Sequence, residues 1–365
     1  MATNKKLMKG CEAIAEAAIQ AGCQFFFGYP ITPQNDIPEY MAARMPKLEG
    51  HCFLQAESEL SAINMVYGAA GAGARVMTSS SSPGVSLKQE GISYIAGAEL
   101  PCVIVNMMRG GPGLGSIQAS QGDYFQATKG GGHGDFRNIV IAPASVQEIY
   151  ELVVDAFNLA DKYRMMVMIM GDGTLGQMME PVAFRDEEPI ETIAKPWAAC
   201  GRKGDDFHHT VTSIYIDPDV LEKKNIELQE KYKIVEANEV RYESVCMDDD
   251  PEIVITAFST CSRISRNVIR QARDMGIKVG MIRPITLWPF PSKPIAEAAD
   301  MPSVKGFIDV ELNAGQMIED VRLAVNGKKP VYFHGRMGGN LPMQKEILDK
   351  IVAIHEGTLK EGGIV

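Results

Sequence analysis

The chain has 365 residues and a formal charge of −10 at pH 7, with 45% hydrophobic and 22% charged residues. This composition is ordinary for a globular protein, and the length allows two domains that each bury a core. The acidic balance argues against a nucleic-acid partner, because no basic face is visible. We expect a cytoplasmic protein without a membrane partner, since neither a bilayer-spanning apolar run nor a signal-peptide pattern is found.

The seven cysteines are scattered along the chain without a CxxC pair. Iron–sulfur and zinc sites need thiolates that converge, and disulfides are rare in reducing compartments. The sequence therefore predicts reduced, mostly buried cysteines and no iron–sulfur centre or metal site on this chain. A second group of possible metal ligands is predicted to lie in a solvated loop: Asp205, Asp206, His208 and His209.

Helix and strand patterns alternate from the first residues to about residue 194, which is typical of a mostly parallel sheet covered on both faces. Asn4 is predicted to cap a helix that runs to Gly22. Further helices are expected at 36–45, 58–72, 84–98 and 145–162. Strands are expected at 23–27, 52–54, 75–78, 101–107, 139–142 and 165–170. A long glycine-rich loop, residues 109–137, follows the fourth of these strands.

The composition changes between residues 195 and 250, where a polar stretch precedes a highly charged helix at 218–236. We interpret this segment as a linker. Alternation then resumes, with strands expected at 253–256, 279–282, 306–310 and 331–333, and helices at 261–275, 314–325 and after Pro342. The predicted fold is α/β, with two open, mostly parallel domains at 1–194 and 251–365.

Three side chains stand at the ends of predicted strands. Thr32 belongs to the segment GYPITP, where Pro30 and Pro33 stiffen the loop, and its hydroxyl can donate to a carbonyl or carboxylate oxygen. Glu59 lies in the first turn of a helix, and Arg109 enters a glycine-rich loop. Because ligands bind at the carboxyl ends of strands in open α/β sheets, these residues indicate a small carboxylate substrate beside a heteroaromatic cofactor.

Each of these residues also has a purely structural interpretation. Thr32 could simply start a turn, Glu59 could be favoured by the helix dipole, and Arg109 could be a surface residue. The glycines at 110–115 favour a functional arginine, since they allow the backbone to approach a ligand. Their spacing does not match a dinucleotide-binding fingerprint.

Two other features are predicted to be structural. Residues 171–173 read Gly-Asp-Gly, like the start of the magnesium and diphosphate motif of thiamine enzymes, but no asparagine follows before Asn225. We therefore expect a strand-end turn there. His133, in a second glycine-rich stretch at 130–135, is at least as suited to a structural role as to a substrate contact.

Several segments together resemble the α-type, pyrimidine-domain subunit of 2-oxoacid:ferredoxin oxidoreductases, with the 2-oxoisovalerate (3-methyl-2-oxobutanoate) branch nearest and 2-oxoglutarate enzymes next. These segments are GYPITP, QAESE, QEG, RGGP, residues 130–135, PITLWP and ELNAGQ. The resemblance implies a thiamine-diphosphate-binding, pyrimidine-type domain followed by a domain similar to the transketolase C-terminal domain.

The resemblance also implies an activity that requires partners. It is the oxidative decarboxylation of a 2-oxoacid to acyl-CoA and carbon dioxide, with coenzyme A as co-substrate and electrons passing to ferredoxin. Thiamine diphosphate would be shared with a β-type subunit. Mg²⁺ and [4Fe–4S] clusters would belong to partner chains, which include a γ-type or ferredoxin-like iron–sulfur subunit.

Site residues follow from the same resemblance. Glu59 would contact the aminopyrimidine ring and favour its imino tautomer. The other cofactor contacts would be Tyr29, Pro30 and Ile31. The substrate would be held by Thr32, Arg109 and Gly110.

The choice of substrate depends on further cations. One arginine suffices for a single carboxylate, and the approach through Met107 and Met108 favours a branched or aromatic 2-oxoacid. A 2-oxoglutarate enzyme would require a second cation from Lys88, Lys129, His133 or a partner chain. Lys88 is predicted to face solvent or a subunit contact. Two other classes remain as alternatives: a non-catalytic scaffold or regulatory paralogue, and a nicotinamide dehydrogenase.

Overall fold

A computed structural model describes residues 5–184, 192–201 and 208–359. The strands in these ranges are β1 (Lys5–Lys9), β2 (Phe25–Gly28), β3 (Cys52–Gln55), β4 (Val76–Ser80), β5 (Cys102–Met108), β6 (Ile139–Ile141), β7 (Met166–Asp172), β8 (Met179–Ala183), β9 (Tyr242–Val245), β10 (Ile253–Thr256), β11 (Val279–Pro284), β12 (Thr286–Trp288), β13 (Gly306–Glu311) and β14 (Val331–Gly335). The helices are α1 (Gly10–Gln20), α2 (Asp36–Arg44), α3 (Glu59–Gly71), α4 (Ser82–Gly97), α5 (Tyr124–Thr128), α6 (Val146–Tyr163), α7 (Gly173–Gln177), α8 (Pro218–Asn238), α9 (Ser259–Asp274), α10 (Ser292–Asp300), α11 (Met317–Val325) and α12 (Gln344–His355), with a 3₁₀ turn at Met45–Lys47.

The larger sheet has seven strands in the order β12-β6-β7-β5-β4-β2-β3. Its first six strands in chain order pair in parallel, and β12 joins the edge antiparallel to β6. The central strands β4, β5 and β7 are buried along their whole length, as expected in a parallel sheet covered on both faces. The predicted α/β class is confirmed.

The smaller sheet has five strands in the order β14-β13-β10-β11-β9. Four of them run in parallel, while β9 pairs antiparallel with β11. Strand β9 comes from the segment predicted as a linker, and β12 leaves the second domain to join the first sheet. The charged helix α8 covers the first domain through three buried residues: Leu228, Tyr232 and Val235. No helix in the described ranges is long and apolar enough to cross a membrane.

The N-terminal segment differs from its prediction. Asn4, the predicted helix cap, lies outside the described residues, and Lys5–Lys9 forms strand β1 rather than helix. This strand pairs antiparallel with β8, and α1 begins at Gly10. A Cβ atom at Gly10 would lie 2.2 Å from the Leu175 carbonyl oxygen, so the helix starts where its backbone packs directly on α7. The helical periodicity of the alanine-rich segment gave no sign of this long-range contact.

The two domains are joined through Gln121 in the glycine-rich loop. Its side chain donates to the Phe258 carbonyl at 3.0 Å and accepts from the Leu312 amide at 3.0 Å. The neighbouring Glu311 accepts the amides of Gln316 and Met317 at the start of α11. The ELNAGQ motif therefore holds the second domain against the site-bearing loop of the first.

The Gly-Asp-Gly motif is a strand end, as predicted. Asp172 ends β7 and caps α7 by accepting the amides of Thr174 and Leu175, both at 3.0 Å. Its other oxygen lies 3.4 Å from the Ser259 hydroxyl of the second domain, and burial raises the pKa of this carboxyl. All of its described contacts are structural.

Replacing Arg75 by Met should lower the stability of the first domain by about 3 kcal/mol, because it removes one partner of a buried ion pair. The guanidinium donates to Asp161 at 2.8 Å and to the Ala21 carbonyl at 2.6 Å, and it is only 7% exposed. Urea unfolding of the purified chain measures the loss. The Lys233→Met variant is the control, since Lys233 pairs with Glu230 at the surface and its loss should cost less than about 1 kcal/mol. Equal losses for the two variants would contradict this account.

Candidate active site

The candidate site lies at the carboxyl ends of four neighbouring strands, β3, β2, β4 and β5. Thr32 follows β2, Glu59 opens α3 just after β3, and Arg109 directly follows β5. The structure thus brings the three predicted residues to one edge of the sheet. Helix α4 begins between them, after β4, so that its first turn contacts both Glu59 and Arg109.

Glu59 is 5% exposed and occupies the first position of α3. Ser58 caps this helix by accepting the Ser61 amide at 3.2 Å, so Glu59 stands in the first turn, where the helix dipole favours a negative charge. None of the residues described here donates a hydrogen bond to that carboxylate. A buried acceptor held in place but without a donor is suited to receive one from a bound ligand.

Gly84 determines how closely α4 approaches this carboxylate. A Cβ atom at position 84 would lie 2.4 Å from Glu59 Oε1 and 2.1 Å from Ser80 Oγ. The hydroxyls of Ser80 and Ser81 are also buried without a hydrogen-bond partner. The surroundings of Glu59 therefore include the backbone of Gly84 and two hydroxyls without a hydrogen-bond partner, those of Ser80 and Ser81.

Gly84→Ala should displace the Glu59 carboxylate and lower the rate of a reaction at this site by about 100-fold, the scale expected when a reacting group moves by about 1 Å. The control is Gly68→Ala in α3, where a Cβ atom would meet nothing within 4 Å and alanine is the better helix former. Rates for the two variants, measured with thermal unfolding, check the prediction. An active Gly84→Ala enzyme would show that the position of Glu59 is not critical.

Arg109 is 7% exposed and lies across the loop that carries Thr32. Its guanidinium donates to the carbonyls of Thr32 and Leu114, both at 2.9 Å, while its Nε is buried without a partner. Thr32 is exposed, and its hydroxyl lies 3.5 Å from the Asn35 side-chain amide. Arg109 and Thr32 thus place a cation and a hydroxyl on adjacent segments at the carboxyl edge of the sheet, which we call the rim.

Sequence reasoning missed the support beneath Arg109. Asp123 accepts from the Ser82 hydroxyl at 2.6 Å and from the Asn106 amide at 2.9 Å, and burial raises the pKa of its carboxyl. Ser82 in turn accepts the Arg109 amide at 3.1 Å. These residues are far apart in the chain and belong to no common motif, so no sequence signal grouped them.

The prediction for Lys88 is wrong. Its side chain faces neither solvent nor a free surface: it is fully buried, with Nζ 3.1 Å from Thr78 Oγ1 and 3.4 Å from the Glu59 carbonyl oxygen. Gly84, Lys88 and Gly91 lie on one face of α4, and this face packs against α3. Their spacing was the available signal, because residues four and three apart share a helix face.

The remaining predicted residues lie around this edge or outside it. Tyr29 and Pro30 are exposed on the rim, Ile31 is partly buried, and the buried Gly110 backbone packs against residues 338–339. His133 lies beside Tyr94, whose position on α4 is roughly 15 Å along the helix from Gly84. Asp205 and Asp206 lie outside the described residues, and in the rest no group of three or more potential metal ligands converges.

Family models cover both domains. Residues 16–244 match the model "Pyruvate flavodoxin/ferredoxin oxidoreductase, thiamine diP-bdg". Residues 251–347 match "Pyruvate:ferredoxin oxidoreductase core domain II".

Comparisons with curated sequences and with a solved structure point to the same family. The chain is 53% identical over 346 residues to ketoisovalerate oxidoreductase subunit VorB of Methanothermobacter thermautotrophicus, covering 95% of this chain and 97% of the relative. It is 35% identical to 2-oxoglutarate synthase subunit KorA of Methanothermobacter marburgensis, covering 96% of this chain and all of that one. A solved 2-oxoglutarate:ferredoxin oxidoreductase from Magnetococcus marinus superposes with a TM-score of 0.82 at 26% identity, and this chain spans 65% of its length.

Two family models match the two domains in chain order, and a curated relative is 53% identical over almost its full length. These matches show the family of the chain. The resemblance inferred from the sequence is confirmed: the chain belongs to the 2-oxoacid:ferredoxin oxidoreductase family.

Proposed function

We propose that this chain is the pyrimidine-side subunit of a thiamine-diphosphate-dependent enzyme that oxidatively decarboxylates a branched-chain 2-oxoacid, 2-oxoisovalerate, to its acyl-CoA. The observation that carries the proposal is the meeting of Glu59, Thr32 and Arg109 at adjacent strand ends. A scaffold that kept only the fold would need neither a buried carboxylate without a donor nor a buried guanidinium with an unpaired Nε.

The residues fit the pyrimidine half of thiamine diphosphate. Glu59 presents a carboxylate acceptor, and the hydroxyls of Ser80 and Ser81 are buried with no other partner. The glycine wall at Gly84 leaves no room for a side chain between α4 and Glu59. Tyr29 and Pro30 on the rim would contact the ring together with Ile31.

Glu59 would act by accepting a hydrogen bond from a protonated ring nitrogen. A carboxylate in a nearly dry site favours the protonated partner that it faces. When bound, thiamine diphosphate would supply a nucleophilic carbon for the 2-oxo group and an electron sink for the electron pair left when carbon dioxide departs. Glu59 holds the ring tautomer needed for that chemistry, and α3 holds Glu59.

Thr32 and Arg109 would bind the substrate. The Thr32 hydroxyl can donate to the 2-oxo oxygen, and the guanidinium can donate to the carboxylate through its unpaired Nε. Gly110 would allow the acid to approach the backbone of the same loop. The two bonds from Arg109 to loop carbonyls fix the guanidinium before substrate arrives.

The cations of this chain favour a monocarboxylic acid. Lys88 is buried behind Glu59, Lys129 forms an ion pair with Asp320, and His133 lies beside Tyr94. Each of these three candidates for a second carboxylate contact is thus engaged elsewhere. The higher identity to a ketoisovalerate subunit than to 2-oxoglutarate subunits points the same way.

The other half of the site would come from partner chains. We assign the diphosphate and Mg²⁺ to a β-type subunit, and the [4Fe–4S] clusters to that subunit or to a ferredoxin-like or γ-type one. Ferredoxin would take the electrons and coenzyme A the acyl group. Coenzyme A is named as a bound molecule in the solved relative from Magnetococcus marinus.

Anaerobic co-purification with native partners tests the proposal. The complex should reduce viologen only with thiamine diphosphate, coenzyme A and a 2-oxoacid, and 2-oxoisovalerate should be preferred over 2-oxoglutarate, pyruvate and an aryl glyoxylate. Preference for 2-oxoglutarate would overturn the substrate assignment. A chain that binds no partner and supports no decarboxylation would support a scaffold instead.

A further inference from the structure

A lysine is buried directly behind the proposed catalytic carboxylate. Lys88 emerges from α4 between two glycines that pack against α3, where a Cβ atom at Gly91 would lie 2.5 Å from Ile63. The two helices are too close there for a long side chain to lie between them. The Lys88 side chain extends instead beneath the first turn of α3, where its Nζ contacts Thr78 on β4 and the Glu59 carbonyl.

Among the residues that the structure describes, the ammonium group has one ionic neighbour, Glu59. Burial lowers the pKa of Lys88 to about 8, and the charge of Glu59 on α3 opposes that shift. Thr78 on β4 is a neutral acceptor. The other carboxylate of this region, Asp123 on the loop after β5, is held by Ser82 and Asn106.

A buried lysine is costly for the fold. Two neutral acceptors do not replace the hydration of an ammonium group, and methionine would fill the same space without that penalty. Buried charges that cost stability are concentrated at functional sites. The functional group nearest to Lys88 is Glu59.

We propose, on the basis of the proposed function above, that Lys88 is a positioning residue whose ammonium group fixes the first turn of α3, and with it the Glu59 carboxylate, at the cofactor ring. Its bond to the Glu59 carbonyl holds the backbone from which that carboxylate projects.

The first test uses the purified full-length chain and needs no activity. Lys88→Met should raise the unfolding midpoint at pH 7 by about 2–4 °C, since a buried charge is removed. The charged lysine costs stability below about pH 8, and the cost disappears as the pH rises toward the ordinary value of 10.5, so the difference between the two proteins should shrink over that interval.

The Glu59→Gln background tests whether the two groups interact. There the ammonium lacks its counter-charge, so Lys88→Met should stabilise by more than it does beside Glu59. Equal effects in both backgrounds would overturn the proposal, as would a Lys88→Met chain that is less stable than wild type at pH 7.

The second test uses the assembled complex. Lys88→Met and Lys88→Gln should both lower kcat by about 10-fold or more, with KM for the 2-oxoacid unchanged within about twofold. Gln keeps a donor but is shorter and uncharged, so a Gln variant with the wild-type kcat would overturn the proposal. If the wild-type complex oxidises no 2-oxoacid, the proposed function fails, while the stability comparison still decides whether Lys88 and Glu59 interact.

Discussion

Replacing Glu59 by Gln should reduce 2-oxoacid oxidation by the assembled complex by about 100-fold or more, the range expected when a positioned proton acceptor is lost. Gln has the same shape, so the contact with Gly84 and the start of α3 should persist. The complex should therefore assemble normally. Thiamine-dependent viologen reduction measures the rate, and size-exclusion chromatography measures assembly.

Glu57→Gln is the matched control, because Glu57 lies two residues earlier, is exposed and accepts only from the Ser61 hydroxyl. Its removal should leave the rate within about twofold of wild type. A Glu59→Gln complex that retains near-normal turnover would remove Glu59 from the mechanism. A complex that fails to assemble would give the carboxylate a structural role instead.

The sequence was sufficient for the fold and for the placement of Thr32, Glu59 and Arg109 at one edge of the sheet because both follow local rules. Parallel strands buried on two faces read as apolar runs, and the residue after such a run lies at the carboxyl edge where ligands bind. Thr32, Glu59 and Arg109 each follow a strand by this rule. The roles assigned to them remain predictions that the variants test.

The sequence was insufficient wherever long-range contacts decide the structure. Lys5–Lys9 forms a strand because β8 is available to pair with it, about 170 residues further along the chain. Strand β12 joins the first sheet although its segment belongs to the second family model. Pairings of this kind leave no periodic pattern in either segment alone.

Lys88 shows why residue type can mislead. Lysine is almost never fully buried without a partner, so solvent exposure was the reasonable expectation. The partners that permit its burial, Thr78 and the Glu59 carbonyl, lie on other elements, and the glycines at 84 and 91 bring those elements close. The spacing that places Gly84, Lys88 and Gly91 on one helix face was visible in the sequence. The burial of Lys88 could be seen only from the packing of α4 on α3.

Replacing Arg109 by Met should raise KM for the 2-oxoacid by about 10- to 100-fold, the equivalent of the roughly 1.5–3 kcal/mol that a hydrogen bond to a charged group contributes. Thiamine diphosphate affinity should change much less, since Glu59 lies on a separate element, α3. Steady-state kinetics and a thiamine diphosphate titration of the same preparation separate the two effects.

Arg109→Lys distinguishes loss of charge from loss of geometry. Lysine keeps the cation but cannot hold the carbonyls of Thr32 and Leu114 while presenting a further N–H to substrate, so its KM should fall between those of wild type and the Met variant. Lys129→Met is the control for a general change in charge, because Lys129 is paired with Asp320 and should not affect KM. If the Met variant binds 2-oxoisovalerate as tightly as wild type, the carboxylate is held by another group. The unpaired Nε of Arg109 would then have to be satisfied by the partner chain, and the substrate site would lie mainly on that partner.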